Sequence, residues 1–135
     1  MALGLAGVVQ IPGPAADMAT AYMLSDVVVS ASTDPEAFGR VAVEAQAMGR
    51  PVVATDHGGS RETILPGGTG WLVPPGDPQA LADAIAAALA LTPAARQAAA
   101  ATARAHVAAH FTVEQMCHAT LQVYAEVLSG RAAGA

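Results

Sequence analysis

Three apolar runs, at 26–31, 51–55 and 69–73, the first two valine-rich, are separated by stretches that read as helices, and this alternation leaves few folds open. Strands that run parallel need a long crossover between them, and a helix is the usual one. Apolar runs without polar alternation suit strands covered on both faces. The pattern therefore predicts an α/β domain built on a parallel sheet. A further short strand is expected at Gly7–Ile11, ended by Pro12-Gly13-Pro14, a strong breaker.

The helices announce themselves by their ends. Asp17–Leu24 reads as a short helix with Met18, Ala21, Tyr22 and Ser25 along one side, Tyr22 being a core residue. Asp77-Pro78 is an N-cap and first-turn pair, starting a helix through Leu91 whose buried stripe is expected to be Leu81, Ile85 and Leu89. Thr92-Pro93 starts an alanine-rich helix to His110, a composition that favours helix but buries little. Thr112-Val113-Glu114-Gln115 matches a capping box. The helix it opens carries Met116, Thr120, Val123, Tyr124 and Val127 on one side and ends before Gly130. Residues 1–130 are read as one domain and 131–135 as a frayed tail.

Composition narrows the function classes. With 135 residues, 53% hydrophobic and 13% charged, the chain packs a core and is not disordered. A net charge of −5 argues against nucleic acid or an anionic membrane surface as partner. The lone Cys117 makes no intrachain disulfide, and no run of strongly apolar residues is long enough to span a bilayer. A cytoplasmic, soluble protein is expected. His106, His110, Cys117 and His118 do not form a recognised ligand spacing, so no metal site and no cofactor are expected.

The stretch with the most chemistry is Glu36-Ala37-Phe38-Gly39-Arg40-Val41-Ala42-Val43-Glu44. It falls between the first two valine-rich runs, which puts Glu36 in a loop and Glu44 inside a helix. Eight helical residues would span about 12 Å, too far for two carboxylates to share a proton and suited to the two ends of an extended polar ligand. Between them, unpaired amides from Phe38 to Val41 at the positive end of the helix favour a phosphate, and Gly39 permits close approach to the backbone. Glu44 would then bond a ribose, and Glu36 would face whatever the diphosphate carries. Taken as an isolated pair, the two glutamates read rather as solvated charges on an ordinary helix.

The surrounding residues change that reading. The Glu36 to Glu44 segment is followed by Gly49-Arg50-Pro51-Val52-Val53-Ala54-Thr55-Asp56-His57-Gly58-Gly59 and then Thr69-Gly70-Trp71-Leu72-Val73-Pro74-Pro75-Gly76-Asp77-Pro78. Together with Val9–Gly13 and Tyr22–Asp26, these resemble the donor-binding domain of family-4, GT-B-fold retaining glycosyltransferases, over roughly residues 8 to 90. Ala37 stands where many relatives have glycine. The resemblance implies a partial Rossmann-like parallel sheet, the second half of a GT-B C-terminal domain, with additional C-terminal helices. It implies a nucleotide diphosphate sugar as substrate, Glu36 as the catalytic residue, and Phe38, Gly39, Arg40, Val41 and Glu44 as donor contacts. Gly13 reads either as a loop beside the nucleotide base or as a plain turn. Arg40 and Arg61 read as phosphate contacts or as surface charges, His57 as an exposed loop residue, and Gly58-Gly59 as a turn or as amides toward the sugar.

Family members carry an N-terminal acceptor domain and an Arg and a Lys that neutralise the diphosphate; neither region is matched, and the chain has no lysine. The expectation is a truncated member that transfers sugar only with an upstream half. The acceptor is not legible. The Gly7–Ile11 strand would pair differently, stay loose or find a partner chain, and a homodimer is one expected outcome. The alternatives are a non-catalytic nucleotide-binding or assembly remnant, and a related nucleotide-sugar epimerase.

Overall fold

A computed structural model describes residues 4–130. Three strands, β1 (Val28–Ser30), β2 (Val52–Thr55) and β3 (Gly70–Val73), form a parallel sheet in the order β1-β2-β3. Val28 pairs with Val52, and Val53 with Trp71. Six helices accompany them: α1 (Met18–Leu24), α2 (Arg40–Ala47), α3 (Ser60–Thr63), α4 (Pro78–Leu89), α5 (Pro93–His110) and α6 (Val113–Leu128). The frayed tail expected at 131–135 lies outside the described residues.

The sheet separates two cores. On one face Val52 and Ala54 pack with Tyr22, Val28, Ala42, Ala45 and Ile64. On the other, Val53 and Val73 pack with Ala84 and Ala88. Only β2 is buried along its whole length; β1 is an edge, and its Val29 is 40% exposed, so the double coverage expected of every strand holds for the central one alone. The sequence reading also misassigned the face of α4. Ala84 and Ala88 are buried, Leu81 and Ile85 flank them half-buried, and Leu89 is exposed. Alanines let the helix backbone settle close on the sheet, which pushes the longer side chains to the margins.

Helix ends follow the sequence closely. Asp17, Asp77 and Thr92 each accept a hydrogen bond from an amide of the following first turn, and Thr112 and Gln115 form the reciprocal capping box. Gly7–Ile11 is corrected: it forms turns and extended coil, not a strand. The amides of Val8 and Val9 both donate to the Leu5 carbonyl, and Gly7 adopts φ 80°. A left-handed glycine turns so short a run, and none of the described strands pairs with it. Among the described residues no single helix is long and apolar enough to cross a membrane.

Candidate functional site

The crossover topology brings the carboxyl ends of all three strands to one rim, where ligands of parallel α/β sheets bind. The loop after β1 is tied there by the loop after β2. The Ser32 carbonyl accepts from the Thr55 hydroxyl and from His57 Nε2, each at 2.8 Å. A carbonyl only accepts, so the imidazole carries a proton on Nε2. Its Nδ1 is buried without a partner, so His57, expected as an exposed loop residue, is a half-buried tie.

Two glycines let the loops touch backbone to backbone. The amide of Gly59 donates to the Glu36 carbonyl at 2.8 Å. A Cβ on Gly59 would lie 2.5 Å from the Cα of Phe38, and one on Gly58 would overlap the Glu36 carbonyl oxygen. Gly58-Gly59 is therefore more than a turn: it is the seat of the Glu36–Phe38 loop.

Above that seat, Gly39 adopts φ 79° and begins α2 with no side-chain cap, leaving amides of the first turn open to a ligand. The space a Cβ would fill at Gly39 is bounded by the Glu36 carboxylate at 3.6 Å and by the amide and hydroxyl of Ser60 at 3.9 and 4.0 Å. Glu36 itself is exposed, as are Phe38, Arg40 and Val41 along the entrance to the helix. One carboxylate, an uncapped helix start and the opening of α3 thus surround one small space.

One turn further along α2, Glu44 is held on both oxygens. Oε1 accepts from Nε and Nη2 of Arg40, at 3.1 and 2.9 Å, and Oε2 accepts from the Tyr22 hydroxyl at 3.0 Å. Tyr22 is buried, and burial together with the Glu44 carboxylate pushes its hydroxyl above the ordinary tyrosine range. The phenol therefore stays a donor and fixes the carboxylate. The Arg40 side chain is 83% exposed and free to exchange partners with solvent. Sequence reasoning assigned Tyr22 to the core and missed this bond; helical spacing within 17–24 gives no sign of a partner twenty-two residues away.

A second element missed from sequence borders the same entrance. The ring of Phe38 meets Phe111 edge-on, with centroids 5.7 Å apart, and Phe111 in turn meets His106 at 5.3 Å. Between this cluster and Glu44 lies a wide cleft of about 1180 Å³, walled by α2 on one side and by the elbow between α5 and α6 on the other. Gly13 is not among the residues lining it: that glycine sits in exposed irregular backbone at φ 85°, with open space around it. Among the described residues no three His, Cys, Asp or Glu side chains gather as metal ligands.

Comparison with known proteins places this arrangement in a family. The model for "Glycosyl transferases group 1" matches residues 1–90. A D-inositol 3-phosphate glycosyltransferase of Corynebacterium urealyticum is 47% identical over 74 residues, which cover 55% of this chain and 17% of that protein. A phosphatidyl-myo-inositol mannosyltransferase of Mycobacterium leprae is 46% identical over 72 residues, covering 53% and 19%. Among solved structures, a glycosyltransferase from Rickettsia africae superimposes with a TM-score of 0.86 at 36% identity, over 92% of this chain and 34% of that one. Anabaena HepE in complex with UDP does so with a TM-score of 0.82 at 38% identity, over 95% and 34%. The chain spans about a fifth of the length of these curated relatives and a third of these solved chains. Its parallel sheet and helices are those of part of a GT-B glycosyltransferase. By family match, relatives and fold alike, the chain belongs to the group 1 glycosyl transferases.

Proposed function

We propose that this chain forms the donor-binding part of an enzyme that moves a sugar from a nucleotide diphosphate to an acceptor hydroxyl with retention of configuration. The observation that carries the reading is Glu44 set between Tyr22 and Arg40, one turn from the uncapped start of α2 and on the same entrance as the Glu36 carboxylate. Glu44 accepts hydrogen bonds from the ribose hydroxyls. Amides from Phe38 to Val41 face the diphosphate, and Arg40 swings from Glu44 toward it. Glu36 contacts the donor sugar beside the anomeric carbon. As the bond from that carbon to the diphosphate breaks and the acceptor oxygen takes its place, its hydroxyl proton passing to the departing phosphate oxygen, negative charge grows on that phosphate, where the helix start and Arg40 stabilise it. Anabaena HepE, of similar fold, was solved with UDP and with UDP-glucose, which supports this donor class. Acceptor-binding residues come from outside the chain, and a cytoplasmic setting suits a nucleotide-sugar donor.

Calorimetry with UDP, GDP and ADP tests the assignment. Glu44→Gln is expected to weaken the preferred nucleotide by about 1–3 kcal/mol, the worth of a hydrogen bond to a charged group. In a longer enzyme that turns over, Glu36→Ala is expected to lower kcat far more than nucleotide affinity, because its contact strengthens as the bond breaks. Unchanged affinity for all three nucleotides in Glu44→Gln would remove that residue from the site.

A further inference from the structure

At the opposite end of the sheet, where the strands begin, a cleft of about 400 Å³ opens between the start of β3 and helix α5. Arg50 and Arg96 line it, together with Pro51, Trp71, Leu91 and the glycine-rich turn before β3, and no carboxylate does. That is an unusual concentration of positive charge in a chain of net charge −5.

The two guanidinium groups are not neutralised. Arg96 donates to the carbonyls of Asp26, at 2.8 Å, and Ala88, at 3.5 Å, which hold the side chain in place without cancelling its charge. Arg50 has no side-chain hydrogen bond or ion pair among the described residues, and its Nε is buried without an acceptor. The other described arginines are all engaged: Arg40 with Glu44, Arg61 with Asp56 and Arg104 with the Met48 carbonyl. A half-buried guanidinium that lines a cleft and has no acceptor, with its Nε already out of water, is stabilised by an oxyanion brought to its exposed nitrogens. Beside it, the half-buried indole of Trp71, Pro51 and Leu91 offer an apolar wall.

We propose that this cleft binds a small organic oxyanion, its phosphate or carboxylate on Arg50 within the field of Arg96 and its apolar body against Trp71. The site is separate from the Glu36–Glu44 entrance and stands or falls independently of the donor reading. Trp71 is the single tryptophan of the chain, so its fluorescence reports occupancy directly. The experiment titrates that signal with phenyl phosphate, benzoate, inorganic phosphate and phenol. Saturable change is expected with phenyl phosphate or benzoate at about 1 mM, at least about tenfold tighter than with phenol. Whichever of the two binds better identifies the head group. Arg50→Gln is expected to weaken binding at least about tenfold, whereas Glu44→Gln leaves it unchanged. A response to phenol equal to that of the anions would overturn the proposal, whether or not the variant folds. So would a folded Arg50→Gln protein, by circular dichroism, that binds as well as the parent, or a signal lost in Glu44→Gln.

Discussion

Helices α2 and α6 are both amphipathic by sequence, yet α2 buries Ala42, Val43, Ala45 and Gln46 while α6 buries no residue at all. The difference lies in what each helix connects. Helix α2 is the crossover between β1 and β2, and a parallel pair obliges its crossover to lie on the sheet. It is also cross-tied: buried Gln46 donates to the carbonyls of Ala42 and Thr63, at 3.1 and 3.0 Å. Helix α6 follows two other helices and is not a crossover between described strands, so its apolar side has no geometric obligation within the described residues. Amphipathicity says that a helix has a face; topology says whether the same chain covers it.

The largest effect expected from this contrast is in the core beneath α2. Ile64 is 1% exposed and packs with Ala42, Ala45 and Val52. Ile64→Ala is expected to cost about 2–5 kcal/mol, from lost burial and the cavity left behind, as measured by denaturant unfolding. A loss below about 1 kcal/mol would show that the α2 side is as loosely held as α6.

Next in size is the seat of the Glu36 loop. Gly59→Ala keeps an ordinary backbone conformation, since φ is −62°, but drives a methyl into the Phe38 backbone. A cost of about 1–3 kcal/mol is expected, as for overpacking generally, together with weaker nucleotide binding as Glu36 and Gly39 are displaced. Gly68→Ala, where a methyl would meet Leu65 at an ordinary 3.5 Å, is the matched control for unfolding free energy and affinity. Equal behaviour of the two variants would mean that the loops are not packed against each other.

What the sequence disclosed, and what it did not, follows the same division. The places of the three strands along the chain, caps at Asp77, Thr92 and Thr112, Glu36 in a loop and Glu44 in a helix were all legible, because each depends on residues within a turn or two. The family was legible from the resemblance carried by the Glu36–Glu44, Gly49–Gly59 and Thr69–Pro78 segments. The Tyr22–Glu44 bond, the Phe38–Phe111 contact and the tie from His57 to Ser32 join residues 22, 73 and 25 positions apart, and no local pattern encodes them. The Gly7–Ile11 expectation failed for a related reason. An apolar run specifies a strand only where a neighbouring edge is in reach.

A smaller effect is expected where α1 meets α2. Tyr22→Phe removes one hydrogen bond to a charged but partly solvated carboxylate and is expected to cost about 1 kcal/mol at neutral pH. The pH dependence has a definite sign. The folded protein holds the Tyr22 proton above the ordinary value of 10.0, so the unfolded chain releases it first and stability falls as the pH rises past about 10. In Tyr22→Phe that part of the alkaline decline disappears. Parallel declines in parent and variant would show that the Tyr22 hydroxyl does not sense Glu44.

The smallest effect, and the sharpest test of the comparison, is expected on α6. Val123 is 55% exposed and Tyr124 61%, so replacing either with serine removes little that folding had buried. Each change is expected to stay within about 0.5 kcal/mol in denaturant unfolding, the range of ordinary surface substitutions. A loss comparable to that of Ile64→Ala would mean that α6 packs on this chain after all. A neutral result has a second consequence. Val113, Met116, Val123, Tyr124 and Val127 together expose an apolar surface that is costly to leave in water, and surface of that kind marks a contact. The same serine variants placed in a longer glycosyltransferase that includes this chain are then expected to lower its stability, although they leave the stability of the 135-residue chain alone. No change in either setting would leave α6 amphipathic without a partner, and the contrast with α2 would reduce to connectivity alone.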